Sequence, residues 1–305
     1  MADLPAPPRL HDNAHVLSGA GEGSGRRLAV VLANAGAAPR ALLERLWSRA
    51  TIAICADGGA NGLAELGFDR CPDAVVGDLD SLLDDVRAAL EARGTQIVLE
   101  PSQDTHDLDK ALRWVAETAA DKQSSLRAAE STAATNEDLP AAREEGSLEH
   151  AGQHDRTDQS LPRQSIRDSA VDVVVLGALG GRLDHEMVNL NMLFTWADEP
   201  AFHRLVFVSE QSVTFLLSPG CHRIRRDPAA ELRTCGLVPL GGTCAQVRTA
   251  GLKWDLDGAS LSFGGLISSS NEVVSDLVEV ETSAPLLWTG TLRRDFVLDE
   301  AASES

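Results

Sequence analysis

Four short polar segments carry the residues able to do chemistry, and each directly follows an apolar run: "ADGGAN" (56–61), "GDLDS" (77–81), "SQDTHD" (102–107) and "GALGGRLDH" (177–185). In "GDLDS", Asp78 and Asp80 stand two residues apart. In extended backbone their side chains point to opposite faces, but where a strand ends and turns, both can reach one cation. Magnesium suits such a site, because it prefers oxygen ligands and keeps several waters or substrate phosphates in its shell. The same stretch also reads as a helix start, with Ser81 as cap, Asp84 as its capping-box partner and Asp80 favoured at the positive end of the helix. That reading leaves Asp78 unexplained beside an apolar strand.

The other segments divide in the same way. "SQDTHDLDK" adds Asp104, Asp107 and Asp109. Asp104 or Thr105 reads as a helix cap, and Asp109 as a solvated residue paired with Arg113 one turn on. Asp107 gains weight as a metal ligand from Asp78 and Asp80, and Lys110 is the cation placed nearest a phosphate. In "GALGGRLDH", Gly180 and Gly181 let backbone N–H groups approach an anion, and Arg182 can grip phosphate oxygens with two donors; otherwise this is a tight turn with Asp184 in the first turn of a helix. "HEMVN" lacks the second histidine of a zinc-protease helix, and GxxxxGK[ST] is absent, so a P-loop is excluded. Asp57 precedes two glycines and reads equally as a turn residue or a ligand contact. Further on, "ISSSNE" (267–272) offers Ser270 and Asn271 to a polar heterocycle or forms a loop, and Trp288 in "PLLWTG" fits a core position or a stacking platform. His203 and His222 stand isolated and receive no role.

Alternating elements must position these segments. "LAVVLANAG", "TIAICADGG", "DAVVGDLDS", "TQIVLE" and "VDVVVLGALGG" are short apolar strands. Between them lie "APRALLERLWSRA", "SLLDDVRAALEAR", "DTHDLDKALRWVAE" and "HEMVNLNMLFTWA", with helical spacing. This order implies a parallel sheet covered on both faces, with ligands bound outside the carboxyl ends of its strands. From residue 203 the pattern becomes alternating: "RLVFVSE", "SVTFLLS", "TCGLVPLGG", "QVRTAGLKWDL", "ASLSFGG" and "LVEVETS" indicate an antiparallel sandwich or barrel. The expected organisation is a flexible N-terminal arm over 1–26, an α/β (Rossmann-like) nucleotide domain over 27–202, and a β-sandwich over 203–299. Residues 121–170 are poor in large apolar side chains and read as a disordered insertion.

The 305-residue chain is 43% apolar and carries a net charge of −19. That balance argues against a nucleic-acid surface, which needs a basic patch, but not against a phosphorylated small ligand. None of the five cysteines form a CxxC pair, and no apolar run approaches the ~20 residues of a membrane span. No nucleic acid and no membrane is therefore expected as a partner, and the expected compartment is reducing, the cytoplasm.

In order, "CADGGANGL", "DAVVGDLDS", "QDTHDLDKAL", "LGALGGRLDHEMVNLNML", "GLKWDLDGASLSFGGLISSSNEV" and "PLLWTG" closely resemble the thiamine pyrophosphokinase family in its eukaryotic form, over roughly residues 28–120 and 171–295. The resemblance implies an enzyme that moves the pyrophosphoryl group of ATP onto the thiamine hydroxyl, giving thiamine diphosphate and AMP with Mg2+. It also implies a thiamine-binding β-sandwich and a homodimer with each active site at the subunit interface. Carried over, Asp78, Asp80 and Asp107 match the magnesium carboxylates. Gln103, Arg182 and Asp184 match polar residues around phosphates and substrate, Ser270 and Asn271 the "SxSN" element, and Trp288 a tryptophan packing on the thiamine pyrimidine from the partner subunit. The family usually has Thr where this chain has His106, so the contact of that threonine hydroxyl is replaced by His106 or made by Thr105 from a shifted turn. Two other readings stand beside this one: a non-catalytic thiamine or nucleotide binder on the same scaffold, and a metal-dependent phosphohydrolase.

Overall fold

The computed structural model describes residues 7–20, 26–34, 36, 38–136 (backbone alone over 122–136) and 170–298. Four buried strands and one edge strand start the architecture: β2 (Leu28–Leu32), β3 (Ile52–Ala56), β4 (Ala74–Gly77) and β6 (Val171–Leu176) are buried, and β5 (Gln96–Leu99) is the half-exposed edge. With β7 (Phe202–Val208) they form a parallel run in the order β5-β4-β3-β2-β6-β7. Chain direction across the sheet reverses between β2 and β6, the position where such sheets open a ligand crevice.

Strand alternation assigns the two faces. Val30, Leu32, Ala53, Cys55 and Val75 pack with Leu42, Leu43, Leu46 and Trp47 of α2 (Arg40–Arg49). Ala29, Val31, Ile52, Ile54, Ala74 and Val76 pack with Leu108, Ala111, Leu112 and Val115 of α5 (Asp107–Asn136), and with Met192 and Leu193 of α6 (Leu183–Thr195). Two short helices, α3 (Gly59–Glu65) and α4 (Asp84–Ala92), follow β3 and β4.

The large sheet continues without a break into antiparallel strands: β8 (Ser212–Leu217), β15 (Leu286–Leu292), β10 (Glu231–Val238) and the edge strand β13 (Ser268–Glu272). A second sheet has the order β1-β9-β14-β11-β12, from β1 (Arg9–Asp12), β9 (Gly220–Arg225), β14 (Val278–Thr282), β11 (Cys244–Ala250) and β12 (Asp257–Leu261). One apolar core joins the α2 face to the space between the two sheets.

Three expectations change. The strand read as the first of the antiparallel sandwich, β7, pairs in parallel with β6 from Asp172↔Arg204 to Leu176↔Val208, and turns antiparallel only against β8. Residues 9–17 of the expected N-terminal arm are ordered structure, and residues 1–6 and 21–25 of it lie outside the described residues. β1 pairs in parallel with β9, and α1 (Asn13–Leu17) follows, capped by the Asp12 carboxylate. Polar anchors hold it where apolar periodicity is missing: His11 bonds His222 at 3.0 Å and stacks on Phe215, His15 meets Asp172 at 3.1 Å, and the buried Arg204 donates to the Asp12 carbonyl and to Asn13. His203 meets the other oxygen of Asp172 at 3.0 Å, so both histidines left without a role belong to this latch. Third, α5 continues through 121–136, part of the segment expected to be disordered. Its Ala, Lys, Gln, Arg and Glu residues are good helix formers, and a helix already nucleated and docked extends at little further cost. Residues 137–169 of that expected insertion lie outside the described residues.

Candidate active site

The ends of β3 and β4 and the start of α5 bring three carboxylates together. Ligand oxygens of Asp57, Asp78 and Asp107 all lie within 4.8 Å of one another. Register explains the meeting: Ala56 pairs with Val76, so the residues following each strand emerge side by side. Gly77 makes the approach possible, because a Cβ there would lie 2.8 Å from Asp57 Cβ and 3.1 Å from Asp107 Oδ1. Asp57 itself sits at φ 42, a left-handed conformation tolerated by Asp, with its N–H donating to the Val76 carbonyl.

Each carboxylate is differently held. Asp57 is 3% exposed; its Oδ2 accepts from the Ser81 N–H at 3.3 Å, and its Oδ1 has no hydrogen-bond partner. Burial pushes its carboxyl above the usual range. Asp78 accepts from Gln103 Nε2 at 2.9 Å and from the Asp80 N–H at 3.3 Å. Burial opposes its ionisation, but these bonds and the Lys110 charge outweigh it and hold Asp78 below the usual range. Asp107 Oδ1 accepts from Lys110 Nζ at 2.9 Å and from the Asp78 N–H at 3.3 Å. An unpartnered buried oxygen within an all-carboxylate set fits a hard divalent cation such as Mg2+.

Several sequence-derived positions take other parts. Asp80 is exposed beside the cluster and accepts from Ser81 Oγ at 2.9 Å, while the oxygens that converge within 4.8 Å are those of Asp57, Asp78 and Asp107. Ser81 does not cap α4, which begins at Asp84 with Leu83 as its N-cap and no side-chain cap bond. Asn61 of α3 clamps this turn instead, donating to the Ser81 carbonyl at 2.7 Å and accepting from the Leu83 N–H at 3.1 Å. Sequence reading passed over Asn61 because "GGAN" reads as turn, not helix. Lys110 is buried against the carboxylates, and Asp109 is buried too, accepting from Trp196 Nε1 at 2.9 Å as well as from Arg113. His106 is exposed, and its carbonyl accepts the Lys110 N–H.

The β6–α6 turn reaches the same end of the sheet. Gly177 (φ 69) lies so close to the β2 turn that a Cβ would sit 2.4 Å from the Ala33 carbonyl oxygen. Gly180 and Gly181 are also left-handed. Arg182 and Asp184 are exposed and pair with each other through two bonds, at 3.1 and 2.6 Å, rather than with the three-carboxylate cluster. That pairing holds Asp184 below the usual carboxylate range. Asn189, where a second metal histidine is missing, donates to the Ala178 carbonyl and fixes the turn.

In the sandwich, Asn271 is buried and structural: it donates to the Trp254 carbonyl at 2.8 Å and accepts from the Trp254 and Glu272 N–H groups. Ser270 is exposed at φ 56. Trp288 is 1% exposed in the core between the sheets, flanked in register by Phe215 and Leu237, so it presents no ring to a partner's ligand. Two aromatics are exposed here, Phe263 and Trp254; Trp254, at 58%, is clasped through its backbone by Asn271 and covered by Lys253 Nζ at 4.8 Å from the ring centroid. "LKWDL" reads as plain strand, which hid it.

A carboxylate cluster at the carboxyl edge of a parallel sheet that continues into a β-sandwich defines a class of α/β proteins whose ligands bind at that edge. Family models sharpen this. The model described as "Thiamin pyrophosphokinase, catalytic domain" matches residues 43–203, and "Thiamin pyrophosphokinase, vitamin B1 binding domain" matches 221–287. Thiamine pyrophosphokinase 3 of Oryza sativa subsp. japonica is 35% identical over 266 residues, covering 82% of each chain. Thiamine pyrophosphokinase 2 of Arabidopsis thaliana is 31% identical over 301 residues, covering 93% of each. The crystal structure of yeast thiamin pyrophosphokinase superposes with a TM-score of 0.74 at 20% identity, covering 98% of this chain and 96% of that one, a likeness of fold. The chain belongs to the thiamin pyrophosphokinase family.

Proposed function

We propose that this protein is a thiamine pyrophosphokinase, an enzyme that transfers the pyrophosphoryl group of ATP to the hydroxyl of thiamine. The new bond joins the thiamine oxygen to the β-phosphorus, the bond from that phosphorus to the α-phosphate bridging oxygen breaks, and AMP leaves. The observation that carries this reading is that Asp57, Asp78 and Asp107 gather within the span matching the family's catalytic domain. A binder without chemistry would not need three carboxylates held against their mutual repulsion.

Asp57, Asp78 and Asp107 would hold Mg2+, with the exposed Asp80 beside them. A bound Mg2+ offsets phosphate charge that builds on the leaving AMP. The protein's own contribution is orientation. Gln103 fixes Asp78, Asn61 fixes the turn that carries Ser81, and Gly77 lets Asp57 and Asp107 close in. Arg182, Gly181 and Asp184 are proposed to meet the phosphates and substrate, with Arg182 leaving its pairing to Asp184 when an anion arrives. His106 borders the same rim.

Homodimerisation is supported by strand order. The carboxylate cluster lies at β3 and β4, while Ser270 and Trp254 lie by the opposite edge strand β13. The intervening strands, at ~4.8 Å spacing, separate them by roughly 40 Å along the sheet. One thiamine can touch both only if the second comes from another copy. Exposed Leu232, Trp254, Phe263, Leu266 and Val274 around β13 supply the apolar surface such a contact needs. We place thiamine's aromatic rings against Trp254, in place of Trp288. The cytoplasm is the compartment proposed, because all five cysteines are free thiols, as suits a reducing compartment. Among the described residues no helix is long and apolar enough to cross a membrane.

The test is product identity: purified protein with thiamine, ATP and Mg2+ is expected to give AMP and thiamine diphosphate. ADP with thiamine monophosphate would refute pyrophosphoryl transfer, thiamine binding without AMP would favour the non-catalytic binder, and hydrolysis of simple phosphate esters without an acceptor would favour a phosphohydrolase.

A further inference from the structure

Lys110 is the one basic side chain recorded against the carboxylate cluster among the described residues, and its placement differs from that of a phosphate-binding lysine. It lies on the first turns of α5, with only 4% of its side chain exposed. Its ammonium is 2.9 Å from Asp107 Oδ1 and 3.8 Å from Asp78 Oδ2. Those two oxygens thus already face a cation, while Asp57 Oδ1 is left without a partner. A phosphate approaching Lys110 would have to compete with both carboxylates for its ammonium.

We propose that Lys110 is a positioning residue, a resident counter-ion that holds Asp78 and Asp107 together before any cation arrives and weakens the cation's hold once it does. Three carboxylates and one ammonium leave the charge that one divalent ion neutralises. Without the ammonium, the empty site suffers unrelieved repulsion and a bound cation meets a more negative cage. Lys110 therefore trades affinity for a preformed, exchangeable site. This inference rests on the cation site proposed above but not on the reaction.

The experiment is titration of the nucleotide-free protein with Mn2+ alone, followed by electron paramagnetic resonance, together with thermal unfolding in EDTA and in Mg2+. Lys110→Met is expected to bind Mn2+ about tenfold more tightly or better, since even water-like screening leaves that much repulsion between an ammonium and a dication a few Å apart. Its melting temperature should fall in EDTA and recover in Mg2+ more than the wild type's does. Lys110→Arg, which keeps the charge, should stay within about threefold of wild-type affinity. Unchanged or weaker Mn2+ binding in Lys110→Met overturns the proposal, and a raised KM for ATP beside it assigns Lys110 to a phosphate contact instead. Should Lys110→Met fold only with the cation present, that is the predicted dependence in its extreme form; should it fold in neither buffer, Lys110→Gln replaces it under the same criteria. Absence of AMP formation in the wild type alongside tightened Mn2+ binding in the variant would refute the kinase reading and leave this one standing.

Discussion

Replacing Gly77 with Ala puts one methyl group where the site has least room. The added carbon would lie 2.8 Å from Asp57 Cβ, 3.3 Å from Asp57 Cα and 3.1 Å from Asp107 Oδ1. Ordinary contact between carbons begins near 3.5 Å, so Asp57 must retreat by about 0.7 Å. It cannot retreat freely, because its backbone is held at φ 42 by the N–H bond to the Val76 carbonyl. Asp107 must yield a few tenths of an ångström, against its 2.9 Å bond to Lys110. Overpacking of this kind costs about 1–3 kcal/mol of stability, or roughly 2–10 °C in melting temperature for a domain of this size. Activity should suffer more, because misplacement approaching 1 Å of groups that position a reaction costs on the order of 100-fold. Gly77→Ala is therefore expected to stay folded at 25 °C, to lose about 100-fold in AMP formation, and to bind Mn2+ more weakly. Near-wild-type turnover in a folded variant would refute the assignment of Asp57 and Asp107 to one cation site.

Two further outcomes follow from the latch and the sheet order. Asp78→Asn and Trp254→Ala are each expected to be inactive as homodimers, while refolding them together in equal amounts should restore about one quarter of the wild-type sites, since half the dimers are mixed and each has one intact site. No recovery in verified mixed dimers would refute a site built across two copies. Glu231, buried beside Asp227 and bonded to Asn13, is pushed by burial from 4.5 up to about 7. Between those pH values the folded chain binds the proton that the unfolded chain releases, so this group lowers stability as pH rises from 4.5 to 7, by roughly 3 kcal/mol at most. His11 and His222 act oppositely: burial lowers both below 6.5, so they lower stability as pH falls through and below that value. Glu231→Gln should therefore compare better with wild type at pH 8 than at pH 5 in urea unfolding. The same stability difference at both pH values would show that no charge is buried there.

What the sequence made legible, and what it hid, divide along physical lines. The apolar strands and the polar segments after them were readable because burial on both faces leaves continuous Val, Ile and Ala runs, and a run must end where its backbone meets solvent. The latch was hidden because His11, Asn13, His15 and Arg204 are buried by hydrogen bonds, which leave no period in the sequence. Strand β13 was hidden likewise: "SSSNE" has no alternation and owes its conformation to pairing with β10. The carboxylate partnership was half legible. Spacing placed Asp78 and Asp80 together, but which oxygens meet depends on register and on backbone hand. Leu79, between them, adopts φ 63, breaking the strand alternation, and Asp57 adopts φ 42 just past the end of the neighbouring strand. Among the described residues, the only other non-glycine residue with a left-handed φ is Ser270, in the serine–asparagine strand. Such conformations cost about 1 kcal/mol or more each and persist only where the surroundings over-determine them. All three fall in the segments whose residue types had suggested chemistry. Composition thus located the strained places, and only the folded backbone shows which side chains the strain was spent to aim.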